Sequence, residues 1–244
     1  MIDQPIVIIE DSFQQVWREA ALLLRANSWE IRNLVVQIQN PSALDAHFHN
    51  TFDSFSSSNG LLGPKHVAYT IFPHRLYAKR GSASAVFEAY NRKDGLYERL
   101  HRRRGGWGTY FRRMTSYESV KGVQNQLENI IGAITNRDNI YRAAYTIVIQ
   151  KPGGETIRTL GGPCLNYGAV QIEPIGSGIS LGLLAVYRNH DFLIRAYGNY
   201  WGLCNLLCFL AQETNAEPGP LTCVSSRAYV PSHKRQLANL LDII

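Results

Sequence analysis

A chain of 244 residues with 45% hydrophobic and 18% charged residues can bury a full core as one domain over residues 1–244, which excludes a disordered polymer or a small disulfide scaffold. The formal charge of +6 suits an anionic partner; phosphorylated small molecules fit it, and a charge of that size does not by itself call for nucleic acid. Cys164, Cys204, Cys208 and Cys223 form no C-x-x-C pair and have no His at zinc spacing, and no apolar run nears the roughly 20 residues of a membrane span, so the expectation is a cytoplasmic chain with reduced thiols, no metal and no membrane partner.

In chain order, the spacing of Phe13, Val16, Trp17, Ala20, Leu23 and Leu24 predicts an amphipathic helix over 12–26, with Asp11 or Ser12 as its N-cap. The alternation in NLVVQIQNP predicts a half-buried strand that turns at Asn40-Pro41. Polar, Gly- and Ser-rich residues 49–64 read as a loop, and 82–104 mixes helical and turn signals before three arginines. The basic HRRRGG run at 101–106 reads as a solvated loop rather than a nucleic-acid patch.

Val120, Val123, Leu127, Ile130, Ile131 and Ile134 recur at helical spacing and predict a second amphipathic helix. AAYTIVIQKPGG reads as a buried strand with a Pro-Gly-Gly turn, and GISLGLLAVYR as another strand. NYWGLCNLLCFLAQETN is apolar nearly all round, which predicts a central helix with Cys204 and Cys208 in packing roles. Strands and helices mix without regular βαβ spacing. The fold class expected is therefore α+β, with a mixed twisted sheet and helices packed on it.

The second half carries a specific order of residues: Pro163-Cys164, an alternating strand, Arg188-Asn189-His190-Asp191, Asn199, the apolar helix over 200–212, Tyr229, and His233 with Gln236. That order resembles the thymidylate synthase family, which extends to the pyrimidine nucleotide C5-hydroxymethylases. Upstream, the 12–26 helix, the strand into Asn40-Pro41, the GGWGTYFRR segment and Arg142 beside Tyr141 follow the family in outline. Taken alone, Cys164 would be a small buried hydrophobe, Asn199 the N-cap of the 200–212 helix, and Tyr229 a packed ring with a satisfied hydroxyl.

The resemblance implies a three-layer α/β/α fold and a pyrimidine nucleoside 5'-monophosphate substrate. Cys164 would add to C6 of the ring, and Arg188 would hold the phosphate and favour the thiolate. Asn199 would read the base edge and favour uracil over cytosine, so that dUMP or UMP is preferred to CMP. Asn189 and Asp191 would line the nucleotide, Tyr229 would bond the sugar, and Arg227 stands where a ribose 2'-hydroxyl could be met. Arg25 and Arg142 would add phosphate contacts, with Arg142 acting in trans across a homodimer.

The implied reaction is C5 methyl or hydroxymethyl transfer with 5,10-methylenetetrahydrofolate as one-carbon donor. The chain departs from the family in having no Glu between Glu30 and Glu88, so His66 or Tyr69 would have to relay protons. It also carries Leu165 after the nucleophile, and ends eight residues after Gln236, short of a segment that closes over folate. Those departures raise the alternative of a nucleotide-binding protein without folate chemistry.

Overall fold

The computed structural model describes residues 4–92, 107–136, 141–142, 145–151 and 162–244. Strand β1 (Ile6–Glu10), helix α1 (Phe13–Ala26) and strand β2 (Glu30–Ile38) form a parallel crossover unit. Ser12 caps α1: its hydroxyl accepts from the Gln15 amide while the Gln15 side chain accepts from the Ser12 amide, which satisfies two of the donors a helix start leaves over. Phe13, Val16, Trp17, Ala20 and Leu24 are buried against the sheet.

The expected loop at 49–64 is instead helix α2 (Ala46–Ser58) followed by α3 (Pro64–Ile71). Asp45 caps α2 through the Phe48 amide, at 3.0 Å. Its serines return their hydroxyls to the preceding turn, Ser56 to the Phe52 carbonyl and Ser57 to the Asp53 carbonyl, so a polar run is compatible with a helix. What holds α2 is tertiary: Phe52 lies 4.8 Å from Trp17 and 4.1 Å from Tyr197, ring centre to ring centre.

Helices α4 (His74–Arg80), α5 (Ala83–Arg92) and α6 (Tyr110–Thr115) follow. The helix expected across 116–136 begins only at Gln126. Residues 117–124 form a small hairpin, β3 (Tyr117–Ser119) and β4 (Gly122–Gln124), and Asn125 then caps α7 (Gln126–Thr135). Gly122 takes φ +90°, a left-handed value that closes the hairpin and that a side chain would oppose. Val120 and Val123, the first positions of the expected stripe, are exposed, while Leu127, Ile130 and Ile134 are buried.

The rest of the sheet comprises β5 (Thr146–Val148), β6 (Leu165–Ile175), β7 (Gly178–Tyr187), β8 (His190–Asp191) and β9 (Glu217–Tyr229). Helix α8 (Tyr197–Glu213) precedes β9 and α9 (Lys234–Leu241) follows it. The seven-stranded sheet runs β1-β2-β9-β7-β6-β5, with β8 beside β9. β1–β2, β7–β9 and β8–β9 are parallel and the remaining pairs antiparallel, which gives the mixed, unclosed sheet of an α+β fold.

Among the described residues α1 packs on β1 and β2, and α8 on β7 and β9, as an α+β fold with helices on its sheet requires. The inner face carries Leu34, Val36, Leu183, Ala185, Leu221 and Cys223, all buried. Register places Val7, Val35, Val224 and Val186 in one row of the other face, where Val7 is 59% exposed and the neighbouring Ile9 55% exposed. No described helix is long and apolar enough to cross a membrane.

α8 is buried nearly all round because it lies between the sheet and α3. Gly198 and Gly202 permit the approach: a Cβ on Gly198 would sit 2.5 Å from Val67 Cβ, and one on Gly202 2.9 Å from the Ala68 carbonyl oxygen. The basic run at 101–106 and the Pro-Gly-Gly turn at 152–154 lie outside the described residues.

Candidate active site

Cys164 directly precedes β6 and Arg188 directly follows β7. The antiparallel register of those strands, with Leu165 opposite Tyr187, brings them to the same end of the sheet. The Arg188 amide donates to the Cys164 carbonyl at 2.9 Å, and Arg188 Nε donates to the Pro163 carbonyl at 3.0 Å. The guanidinium is thus tied to the segment that carries the thiol. It also passes so close to Gly162 that a Cβ there would lie 3.3 Å from Arg188 Nη2.

The other side of the Cys164 segment is held by α6. Tyr110 Oη accepts from the Cys164 amide at 3.2 Å and from the Leu165 amide at 3.4 Å. Burial, aided by the negative potential of the Cys164 thiolate, pushes the Tyr110 phenol up to about 12, so it stays neutral. Its ring packs 4.7 Å from Trp107. The GGWGTYFRR segment was seen in the sequence as a family landmark; its role as a support for the nucleophile segment was not.

Cys164 is half-buried, and its thiol is subject to opposed influences. Burial pushes its pKa up, the charges of Arg188 and Arg195 pull it down, and Asp191 pushes it up again. Burial prevails. The thiol of the unliganded protein therefore lies above the ordinary cysteine range, although two arginines oppose that shift.

Asp191 and Arg195 owe their positions to a wide π-type turn over 192–196, which joins β8 to α8. Asp191 Oδ1 accepts from the amides of Leu193 at 3.0 Å and Ile194 at 2.9 Å, so this carboxylate, rather than Asn199, caps the helical segment. Trp17 Nε1 donates to the Phe192 carbonyl at 3.0 Å from the α1 side. π-turns leave carbonyls imperfectly satisfied and recur at functional sites; here one indole meets that need. Arg195, exposed on this turn, carries no signal in the family order and was missed.

Asn199 is the third residue of α8, not its N-cap, and is buried. Its Nδ2 lies 3.0 Å from His190 Nε2, and His190 Nδ1 lies 2.9 Å from Ser225 Oγ. The imidazole stacks on Tyr187, centroid distance 4.1 Å. Among the described residues Tyr187 Oη and Asn189 Oδ1 are buried without a hydrogen-bond partner. Buried polar atoms without partners are the kind of feature a polar ligand resolves.

The remaining expected site residues are distributed as follows. Tyr229 ends β9 opposite Asp191, half-buried. Arg227 stacks on the Tyr229 ring at 4.4 Å and pairs with Glu30 at 2.6 Å, which raises the arginine and lowers the carboxyl from their ordinary values. Arg25 pairs with Asp242 at 2.8 Å, which ties α1 to the end of α9. His66 is exposed on α3, and Tyr69 on the same helix packs 6.2 Å from Tyr90. Arg142 is exposed. An open cleft at the β1–β2 edge is lined by Gln4, Ile6, Asn27, Glu30, Ile31 and Arg32, and contains no nucleophile.

Arg188, Asp191 and Arg195 thus all lie within electrostatic reach of Cys164, whose backbone amide Tyr110 holds, and the His190–Asn199 pair lies on the adjoining elements. A protein from Methanococcoides burtonii (strain DSM 6242 / NBRC 107633 / OCM 468 / ACE-M) named "Putative thymidylate synthase" is 28% identical to the chain over 125 residues, which is 51% of this chain and 53% of that protein. The chain spans about half the length of the curated relative it matches. No protein-family model matches the chain. The sequence similarity is that of a distant thymidylate synthase-like relationship.

Proposed function

We propose that the protein binds a pyrimidine nucleoside 5'-monophosphate, and that Cys164 adds to C6 of the base as the first step of a C5 one-carbon transfer. The observation that carries this reading is the Cys164–Arg188 pair, held at one end of the sheet by two hydrogen bonds from Arg188. A planar guanidinium suits a phosphate, and its positive charge favours the thiolate.

In the step we derive, the thiolate sulfur forms a bond to C6 while the C5–C6 π electrons move towards C5 and O4. C5 then takes a proton from solvent. Loss of the original C5 hydrogen as a proton and expulsion of the thiolate restore the double bond. Exchange of the C5 hydrogen therefore needs only the nucleotide, the thiolate and water. Tyr229 is assigned to the sugar, Asn199 to the base edge, and His66 or Tyr69 to proton relay. Methylenetetrahydrofolate is the implied one-carbon donor. We also infer a homodimer formed through the sheet face that carries exposed Val7 and Ile9, with Arg142 reaching the partner's site; Val224→Glu should then halve the mass measured by sedimentation, and a monomeric wild type would refute it.

A second reading is a nucleotide-binding protein without transfer chemistry, and the upward shift of the Cys164 thiol favours it. The deciding experiment incubates the protein with dUMP and UMP tritiated at C5, and with 5-fluoro-dUMP. Release of tritium to water and a covalent adduct, both lost in Cys164→Ser, support catalysis. Saturable nucleotide binding that Arg188→Ala weakens, without either signal, moves the function to binding alone. No binding of any pyrimidine monophosphate sinks both readings.

A further inference from the structure

Addition of a thiolate to C6 moves a negative charge rather than removing it. The charge begins on sulfur and, once the S–C6 bond has formed, rests on O4. A site that makes this step fast needs a cation within reach of both positions, and one that no anion of the protein already holds.

Arg188 lies on the Pro163 side of the thiol, its Nε committed to the Pro163 carbonyl and its Nη2 passing Gly162. Arg195 comes from a different element, the turn over 192–196. That turn is anchored twice: Asp191 Oδ1 accepts from the Leu193 and Ile194 amides, and the Trp17 indole donates to the Phe192 carbonyl. Phe192, Leu193 and Ala196 are buried while Arg195 is exposed, so a fixed piece of backbone presents the arginine outward.

The backbone at Ala196 and Tyr197 is right-handed helical, φ −58° and ψ −45°, then φ −56° and ψ −52°, so the turn runs on into α8. Arg195 therefore stands one turn before Asn199, the residue assigned to the base edge, on the same side of the helix. Its charge is felt at Cys164, at Tyr110, which holds the Cys164 amide, and at Asp191. Among the described residues Arg195 nevertheless makes no ion pair and no side-chain hydrogen bond.

We infer that Arg195 is a catalytic residue for addition at C6: its guanidinium faces the Cys164 thiolate before the step and donates to O4 of the base after it. As the S–C6 bond forms, the C5–C6 π bond breaks, its electrons make the C4–C5 double bond, and the carbonyl pair moves onto O4. When C5 takes a proton from solvent that pair returns. Arg195 stays protonated throughout and balances the charge without exchanging a proton. The inference rests on the nucleotide reading above and supplies what that reading lacks, a cation for the charge on O4.

The test compares wild type, Arg195→Gln and Arg195→Lys at neutral pH. It measures kcat/KM for tritium release from C5-labelled dUMP and UMP, the dissociation constants of both nucleotides by isothermal titration, and the Cys164 thiolate fraction from iodoacetamide alkylation. In Arg195→Gln kcat/KM should fall by about a hundredfold beyond the fall in thiolate fraction, as when one oxyanion donor is removed, with dissociation constants within about threefold of wild type. Arg195→Lys, which keeps the charge without the planar fork, should recover part of the loss. If kcat/KM falls only as far as the thiolate fraction, Arg195 acts on the thiol alone and the inference is overturned. If it falls only as far as the affinity, Arg195 is a binding residue and the inference is equally overturned. A wild type that binds nucleotide but releases no tritium refutes the transfer chemistry and the role of Arg195 together. Unchanged tritium release in Arg195→Gln refutes the role of Arg195 and leaves the nucleotide reading standing.

Discussion

Tyr110→Phe removes one oxygen and leaves the ring where it packs against Trp107. That oxygen accepts from two backbone amides, those of Cys164 at 3.2 Å and Leu165 at 3.4 Å, on the segment that carries the thiol. A buried amide stripped of its acceptor costs about 1–3 kcal/mol. Leu165 is buried and its amide bears that cost in full; Cys164 is half-buried, so water recovers part of its share. Relief from burying the phenol offsets some of the loss, which leaves a destabilisation of about 2 kcal/mol. For a chain of this size each kcal/mol moves the melting temperature by about 2–4 °C, so the variant should melt roughly 4–8 °C below wild type. Because the phenol is held up to about 12, the difference should be constant from acid pH to well above neutrality. Melting followed by far-UV circular dichroism, with urea titrations showing an unchanged m value, measures it. A variant melting within about 1 °C of wild type would mean that the Tyr110 hydroxyl does not support the Cys164 segment.

The Cys164 thiol should alkylate with a pH midpoint above the ordinary value of about 8.5, since burial prevails over the two arginines. Arg188→Ala and Arg195→Ala, by removing cations, should move the midpoint higher, and Asp191→Asn, by removing an anion, should move it lower; peptide-resolved mass spectrometry after iodoacetamide pulses reads all four. A midpoint that ignores Arg195 would remove that residue from the site. Gly198→Ala places a methyl 2.5 Å from Val67 Cβ and 2.9 Å from the Pro64 carbonyl oxygen, an overpacking worth about 1–3 kcal/mol. Adding Val67→Ala should recover part of the loss, and additive losses in the double variant would place the contact elsewhere.

Whatever depended on local periodicity was legible in the chain. The 12–26 helix, its Ser12 cap, the strand into Asn40-Pro41, GISLGLLAVYR and the apolar central helix all formed because each pattern spans one element and needs only one surface to pack on. The same reliance on local pattern explains the misreadings. The spacing of Val120 and Val123 imitates a helix, but nothing buries them, so a hairpin forms instead. Residues 49–64 look like a loop by composition, yet Phe48 and Phe52 find Trp17 and Tyr197, and aromatic burial outweighs the serines.

The order Pro163-Cys164, Arg188, Asp191, Asn199 was visible because it lies along one stretch of chain. Its supports were not, because each is a contact between segments far apart in sequence. Tyr110 reaches Cys164 across 54 residues and His190 reaches Ser225 across 35. Hydrogen bonds of that kind depend on strand register and on how a helix seats against a sheet end, and neither is encoded in the period of either segment. The residue types of the candidate chemistry were therefore set by the sequence alone, whereas the contact of Asn199 with His190, the restraint on Arg188 and the opposed charges around Cys164 arise only when the strands pair.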